Sequence, residues 1–166
     1  MKDQIDSGKH GHRFSNRAKK RVFTGFGLAL TFIFAFTLYF YVAFKTVVVS
    51  GNSMLNTFHS GTRLLVSNAY WLIGPIKDKD IIVIRDNNAT GYIIKRVYKL
   101  GGEVVDMYNV PKDWSLRKGQ YVVPEENVYV LGDNRLVSED SRFFGPVNLS
   151  RVIGKVVLRP QPLAAK

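Results

Sequence analysis

The chain has 166 residues, no cysteine, and 24 Lys and Arg against 13 Asp and Glu, for a formal charge of +11. That length suits one modest domain, and the missing cysteines exclude disulfides, thiolate metal sites and a cysteine nucleophile. The charge excess invites a nucleic-acid reading, but the cations are scattered and no nucleic-acid motif is visible, so anionic lipid suits the charge better.

Residues 1–21 read as a basic, solvated arm carrying Lys2, Lys9, Arg13, Arg17, Lys19, Lys20 and Arg21 against Asp3 and Asp6. Residues 22–44 then run without a charge. At about 1.5 Å per residue this stretch makes a helix of about 34 Å, enough to cross a hydrocarbon core of about 30 Å. The apolar core of a cleaved secretory signal is shorter, about 7–15 residues, and ends on small residues, whereas this run ends Tyr41-Val42-Ala43-Phe44. Its apolar character on all sides argues against the core helix of a soluble domain. Cations crowd its amino-terminal flank, while Lys45 is followed by no charge until Arg63. The positive-inside rule therefore keeps the amino terminus cytoplasmic and exports residues 45–166.

The exported part reads as an antiparallel β domain. Short runs rich in Val, Ile and Tyr, separated by Gly, Asn, Asp and Pro, predict strands over 46–49, 63–66, 80–85, 91–97, 103–107, 120–123, 128–131 and 151–158. A turn or two of helix fits 68–73, closed by Gly74-Pro75. The chain shows no internal repeat.

With no cysteine and three histidines, the chain has few means of activating a nucleophile, which turns attention to serine served by lysine. Ser53 lies in Ser50-Gly51-Asn52-Ser53-Met54-Leu55-Asn56-Thr57, just beyond the apolar segment. Lys95 lies in Ile93-Ile94-Lys95-Arg96-Val97, where strand alternation puts it on one face with Ile93 and Val97. Burial on such a face lowers a lysine pKa and makes the amine a base. The pattern alone leaves open a lysine reaching solvent from an edge strand and a serine in an ordinary turn. His10, His12 and His59 lack metal-ligand spacing, so no metal and no cofactor is expected. The patterns Asn88-Ala89-Thr90 and Asn148-Leu149-Ser150 match a glycosylation acceptor and receive no function.

The run around Ser53 resembles the Ser-Met-x-Pro-Thr box of bacterial type I signal peptidases, and Tyr92 to Val97 resembles their lysine box. The segment Gly132-Asp133-Asn134-Arg135-Leu136-Val137-Ser138-Glu139-Asp140-Ser141-Arg142-Phe143-Phe144-Gly145 is similar to their Gly-Asp-Asn-x-x-x-Ser-x-Asp-Ser-Arg-x-x-Gly box. The boxes follow in family order behind one anchor, and the resemblance runs from about the anchor to Pro160. Short length and a single anchor resemble the Gram-positive branch.

The resemblance implies a mainly β catalytic domain of the peptidase S26 type, a serine endopeptidase removing signal peptides at Ala-x-Ala-like sites, with Ser53 as nucleophile and Lys95 as general base. It implies that Ser138 orients the lysine and that Gly132 leaves room for its side chain. It further implies that Arg96 pairs with Asp133 and Asp140 with Arg142, and that Met54, Phe58, Ile93 and Ile94 line the substrate pockets. Some family members place a serine hydroxyl at the position of Gly51, so here the Ser53 N–H becomes the chief oxyanion donor. Partners are then exported preproteins, including pilins as one class of client, together with membrane lipid.

Several positions depart from the family pattern, namely Asn56, Thr62, Asn68, Lys99, Gly101, Glu103 and Val137. That drift leaves a second reading, an accessory of pilus assembly with little or no peptidase activity. A self-cleaving regulator of the same superfamily is a third, disfavoured by the anchor and by the lack of a DNA-binding domain.

Overall fold

The computed structural model describes residues 16–55, 57–86 and 91–158. The first 15 residues of the arm, with His10 and His12, lie outside them, as do Asn56, the Asn88 acceptor pattern and Pro160.

The first unit is helix α1, Asn16–Ala43, which extends the apolar segment back into the basic flank. Its stretch Thr24–Ala43 has a mean hydropathy of 2.0, and among the described residues it is the one helix long and apolar enough to cross a membrane. The chain divides into compact units between Phe40 and Tyr41, so the last turn of α1 belongs to the second unit.

The strands of the second unit are β1 Phe44–Val48, β2 Arg63–Ser67, β3 Ile81–Arg85, β4 Tyr92–Leu100, β5 Val104–Val105, β6 Tyr121–Val122, β7 Asn127–Leu131, β8 Val147–Asn148 and β9 Val152–Leu158. Seven of them form one sheet in the order β1-β2-β9-β3-β4-β7-β8, with all neighbours antiparallel. Strands β5 and β6 pair as a separate ribbon. Two single-turn helices, α2 Tyr70–Ile73 and α3 Ser141–Phe144, complete the unit with two 3-10 turns at Leu116–Lys118 and Leu149–Arg151. The eight expected strands are present with ends moved by at most three residues. The expected helix over 68–73 shrinks to α2, closed by Gly74 at φ 77°, a left-handed value that favours glycine. Strand β8 and α3 were not expected, because elements of two and four residues carry no period to read.

The sheet buries both faces. Met54, Phe58, Leu64, Val66, Ile81, Val83 and Ile94 pack on one side. Ile82, Ile84, Val97, Val128, Val130 and Val147 pack on the other. A third cluster, Val105, Val123, Tyr129 and Leu131, ties the ribbon to β7. Strands buried on both faces read as continuous apolar runs, and Ile81-Ile82-Val83-Ile84 in β3 is one. The long-range strand pairings set the site, because β4 and β7 lie side by side and bring Lys95 to the segment after Leu131.

Candidate active site

Lys95 sits in the middle of β4, opposite Ile82 of β3. Its neighbours along that face are Ile93 and Val97, which pack with Ile82 and Ile84, and only 4% of the lysine is exposed. The edge-strand reading therefore fails, since β3 and β7 flank β4 on either side. Its Nζ donates to Ser138 Oγ at 3.1 Å, and Ser138 itself is 3% exposed. Burial pushes the Lys95 amine below the ordinary lysine range; Asp140 and Glu139 oppose the shift and Arg142 adds to it.

Ser138 accepts from Lys95, and it is among the groups that keep the Asp140 carboxyl low. A neutral Lys95 that gives one N–H to Ser138 has its own lone pair directed elsewhere.

Asp140 is fully buried. It accepts from Gly132 N–H at 3.0 Å, from Arg142 N–H at 3.2 Å, and from Arg142 Nε and Nη2 at 2.9 and 3.0 Å. Burial alone would raise its carboxyl, but the hydrogen bonds from Arg142, Gly132 and Ser138 outweigh it and hold the group below the usual carboxylate range. The same carboxylate caps α3 through Arg142 N–H, an N-cap in the usual sense of an Asp oxygen on a first-turn donor. Ser141 Oγ, also buried, accepts from Val130 N–H of β7 at 2.9 Å.

Gly132 makes the close approach possible. A Cβ there would stand 2.8 Å from Ser53 O, with the Cβ and Oγ of Ser138 nearer still. The atoms nearest that position belong to Ser138 and the Ser53 turn. Asn134 N–H donates to Ser53 O at 2.9 Å, so the segment carrying Ser138 also holds the backbone of Ser53.

A second tie spans the same three segments. Arg96, next to Lys95, donates through Nε and Nη2 to Asp133 at 2.7 and 2.6 Å. The Thr57 hydroxyl donates to Asp133 and accepts from Arg96 Nη2 at 3.3 Å. Asp133 lies below the usual carboxylate range despite burial, through its bonds from Arg96 and Thr57. Thr57 was not singled out from sequence, although it stands at the threonine of the serine box. Also missed was a strut behind the Ser138 segment. Arg135 Nη1 donates to Asn109 Oδ1 at 2.9 Å, Asn109 Nδ2 donates to both oxygens of Asp106 at 3.0 Å, and Tyr98 OH donates to Asp106. No motif covers 106–109, so nothing in the sequence marked it.

Of the four residues expected to line substrate pockets, three lie together. Met54, Phe58 and Ile94 are buried together on one face of the sheet, while Ile93 packs on the opposite face with the group around Lys95. Successive side chains of a strand point to opposite faces, as Ile93 and Ile94 do. A cavity of about 440 Å3 lies toward the far end of β4, lined by Leu100, Val128, Tyr70 and Ile76. Neither Lys95 nor Ser138 borders it. Among the described residues no group of His, Asp or Glu is placed to hold a metal ion.

A family model described as "Signal peptidase, peptidase S26" matches residues 21–111 and 107–160. Signal peptidase I of Bacillus caldolyticus is 35% identical over 147 residues, covering 72% of this chain and 80% of the relative. Signal peptidase I of Bacillus amyloliquefaciens is 30% identical over 166 residues, covering 84% and 86%. A crystal structure of a signal peptidase I from Enterococcus faecalis matches 51% of this chain and 99% of its own, with a TM-score of 0.39 and 26% identity. With a family model spanning the apolar helix and all three boxes, and relatives aligned over most of both lengths, the chain belongs to the peptidase S26 family of signal peptidases.

Proposed function

We propose that the chain is a type I signal peptidase, a single-pass serine endopeptidase in which Ser53 and Lys95 form the catalytic dyad. The observation that carries the reading is the lysine: buried among apolar side chains, bonded to Ser138 and lowered in pKa by burial. An amine in that setting serves as a base at working pH. Ser53 is the matching nucleophile of the serine box, and its backbone is held by Asn134 on the same segment that carries Ser138.

In the reaction Lys95 takes the Ser53 proton as Oγ attacks the scissile carbonyl, and returns it to the leaving amine. Water activated by the same lysine then releases the acyl group. Ser138 keeps one amine hydrogen occupied and so directs the lone pair. The Ser53 N–H is the leading oxyanion donor. The substrate adds as an extended strand to the outer edge of β1, a sheet edge paired on its other side with β2. Exported preproteins with Ala-x-Ala-like sites are the clients, the amino terminus is cytoplasmic, and the anchor confines cleavage to the outer membrane surface. No observation favours the pilus-accessory reading.

The test is cleavage of a membrane-reconstituted precursor carrying an Ala-x-Ala site by wild type, Ser53→Ala and Lys95→Ala chains, with the cut mapped by mass spectrometry. Cleavage at that site by wild type alone supports the dyad. A precursor panel left uncut by wild type, or cut equally well by either variant, refutes it.

A further inference from the structure

The turn that leads into Ser138 is pinned on both sides of its tip. Asn134 N–H donates to Ser53 O at 2.9 Å, and Asn134 O accepts from Val137 N–H at 3.4 Å, closing the turn. Arg135 is held at both ends: its Nη1 donates to Asn109 Oδ1 at 2.9 Å, and its carbonyl accepts from Arg142 Nη2 at 3.0 Å. Between these ties the tip carries Leu136 and Val137, which are 96% and 60% exposed, and the next residue, Ser138, is buried. One exposed leucine is ordinary on a protein surface. Here two adjacent apolar side chains stand on a fixed turn that bonds the Ser53 backbone at one end and Lys95, through Ser138, at the other. A substrate held between Ser53 and Lys95 has to pass them.

The direction of the substrate says which part of it passes. Strand β1 begins at Phe44, directly after the apolar stretch of α1 ends at Ala43, and in the reading above the substrate strand lies along the outer edge of β1. The apolar segment of a signal peptide precedes the cut and occupies the bilayer. The residues before the cut therefore lie along β1, and those after it run on beyond Ser53. What stands beyond Ser53 is the segment that follows β7, where Asn134 meets the Ser53 carbonyl. Three residues separate Asn134 from Val137, a span of at most about 11 Å. An extended peptide covers the same span in three residues, so the first three residues after the cut come within reach of the tip.

We propose that Leu136 and Val137 are specificity residues for the leaving side of the substrate, contacting the first three residues of the mature chain and favouring an apolar side chain there. The proposal rests on the peptidase reading above and adds a preference on the side of the cut that an Ala-x-Ala motif does not describe. A polar side chain of the same size loses water against this tip and gains no apolar contact in return. Val137 is also one of the positions at which the chain departs from the box it resembles, so the preference belongs to this chain rather than to the boxes.

The test uses the full-length chain in detergent micelles and soluble peptides that share one Ala-x-Ala site and differ only after it, with Leu or Asn at the first, second or third position. Leucine and asparagine are close in size, so the pair isolates polarity. Wild type is expected to give a kcat/KM about 10-fold higher for Leu than for Asn in at least one position, the discrimination an apolar contact supplies. In Leu136→Gln with Val137→Thr that preference is expected to disappear. The ratio is taken within one chain, which cancels any general change in turnover, and partitioning of a peptide into micelles is the same for both chains. Equal kcat/KM for Leu and Asn in wild type, a preference for Asn, or a Leu preference that survives the double variant each overturns the proposal. A Leu preference seen only when vesicles are added, as bilayer partitioning would produce, overturns it as well. The same peptides, fluorescently labelled, are titrated against Ser53→Ala with and without the two substitutions, and the Leu peptide is expected to bind several-fold tighter only where Leu136 and Val137 are present. Cleavage by wild type without preference sinks this proposal and leaves the peptidase reading standing. No cleavage of any peptide, with the binding preference intact, sinks the peptidase reading and leaves the contact standing; no cleavage and no binding preference overturns both.

Discussion

Alanine at Gly132 probes how tightly the three segments of the site are fitted. The new methyl would stand 2.8 Å from Ser53 O, with Ser138 closer. Carbon contacts are comfortable at about 3.5–4.0 Å, so Ser138 has to retreat by about 1 Å. At 3% exposure it has no solvent to retreat into, and it is held between Lys95 and Asp140. Overpacking of this kind costs about 1–3 kcal/mol of stability. A misplacement of about 1 Å in a group that positions a base costs on the order of 100-fold in rate. The assay is chemical denaturation beside kcat and KM on a membrane-embedded precursor. The fall is expected in kcat, with KM near wild type because the proposed substrate edge at β1 is untouched. Gly91→Ala, where an added Cβ meets nothing within 4 Å, is the control. Adding Ser138→Gly to Gly132→Ala is expected to restore part of the stability and none of the turnover. Wild-type kcat in Gly132→Ala, or recovery of turnover in the double variant, would refute the reasoning that Ser138 positions Lys95.

Lys95 carries a stability cost with a definite sign. Its folded pKa is depressed, so between the folded and unfolded values the unfolded chain binds more protons and stability rises with pH; the cost is full below the folded pKa and gone above the unfolded one. Lys95→Met is therefore expected to gain about 1–3 kcal/mol at neutral pH, to flatten that slope in pH-dependent denaturation, and to cleave nothing. Asp140 behaves in the opposite sense, since its folded pKa is lowered: its contribution is present above the unfolded carboxylate value and lost as pH falls through the folded one. Asp140→Asn should reduce the loss of stability on acidification, and an unchanged acid limb would show that the carboxylate is not what acid disrupts. Thr57→Val removes a hydroxyl from the Asp133–Arg96 pair and is expected to cost about 1–2 kcal/mol and to lower kcat more than it raises KM. Thr57→Ser should restore both, and failure of that rescue would assign the effect to packing rather than to the hydrogen bonds.

Strand positions were legible because short β-branched runs between turn-forming clusters leave few alternatives, as in β3, β4 and β9. The short elements were not, and α3 shows why: four residues are stabilised by a buried Asp140 cap and a Ser141 bond to β7, both tertiary facts. Among candidate site residues, Ser53, Lys95 and Ser138 were singled out by the likeness of their boxes to a known family and not by any local pattern. Alternation placed Ile93 and Ile94 on opposite faces, yet the motif carried both into the expected pocket set, and packing separates them. The Asn109 strut was invisible because its partners come from β4, from a loop and from the Ser138 segment.

The amino-acid order by itself determined the membrane-length segment, the strand-rich character of the domain beyond it and the identity of the boxes. Each of these depends on residues near one another in the chain, through length, period and spacing. Only the tertiary structure decided that β9 inserts between β2 and β3, that β4 is flanked on both sides, and that Lys95 is consequently shut away from water beside Ser138. It also decided that the atoms nearest the space at Gly132 belong to Ser138. Burial is a property of what covers a side chain, and what covers Lys95 comes from strands separated along the chain, so no local pattern around the lysine could specify it.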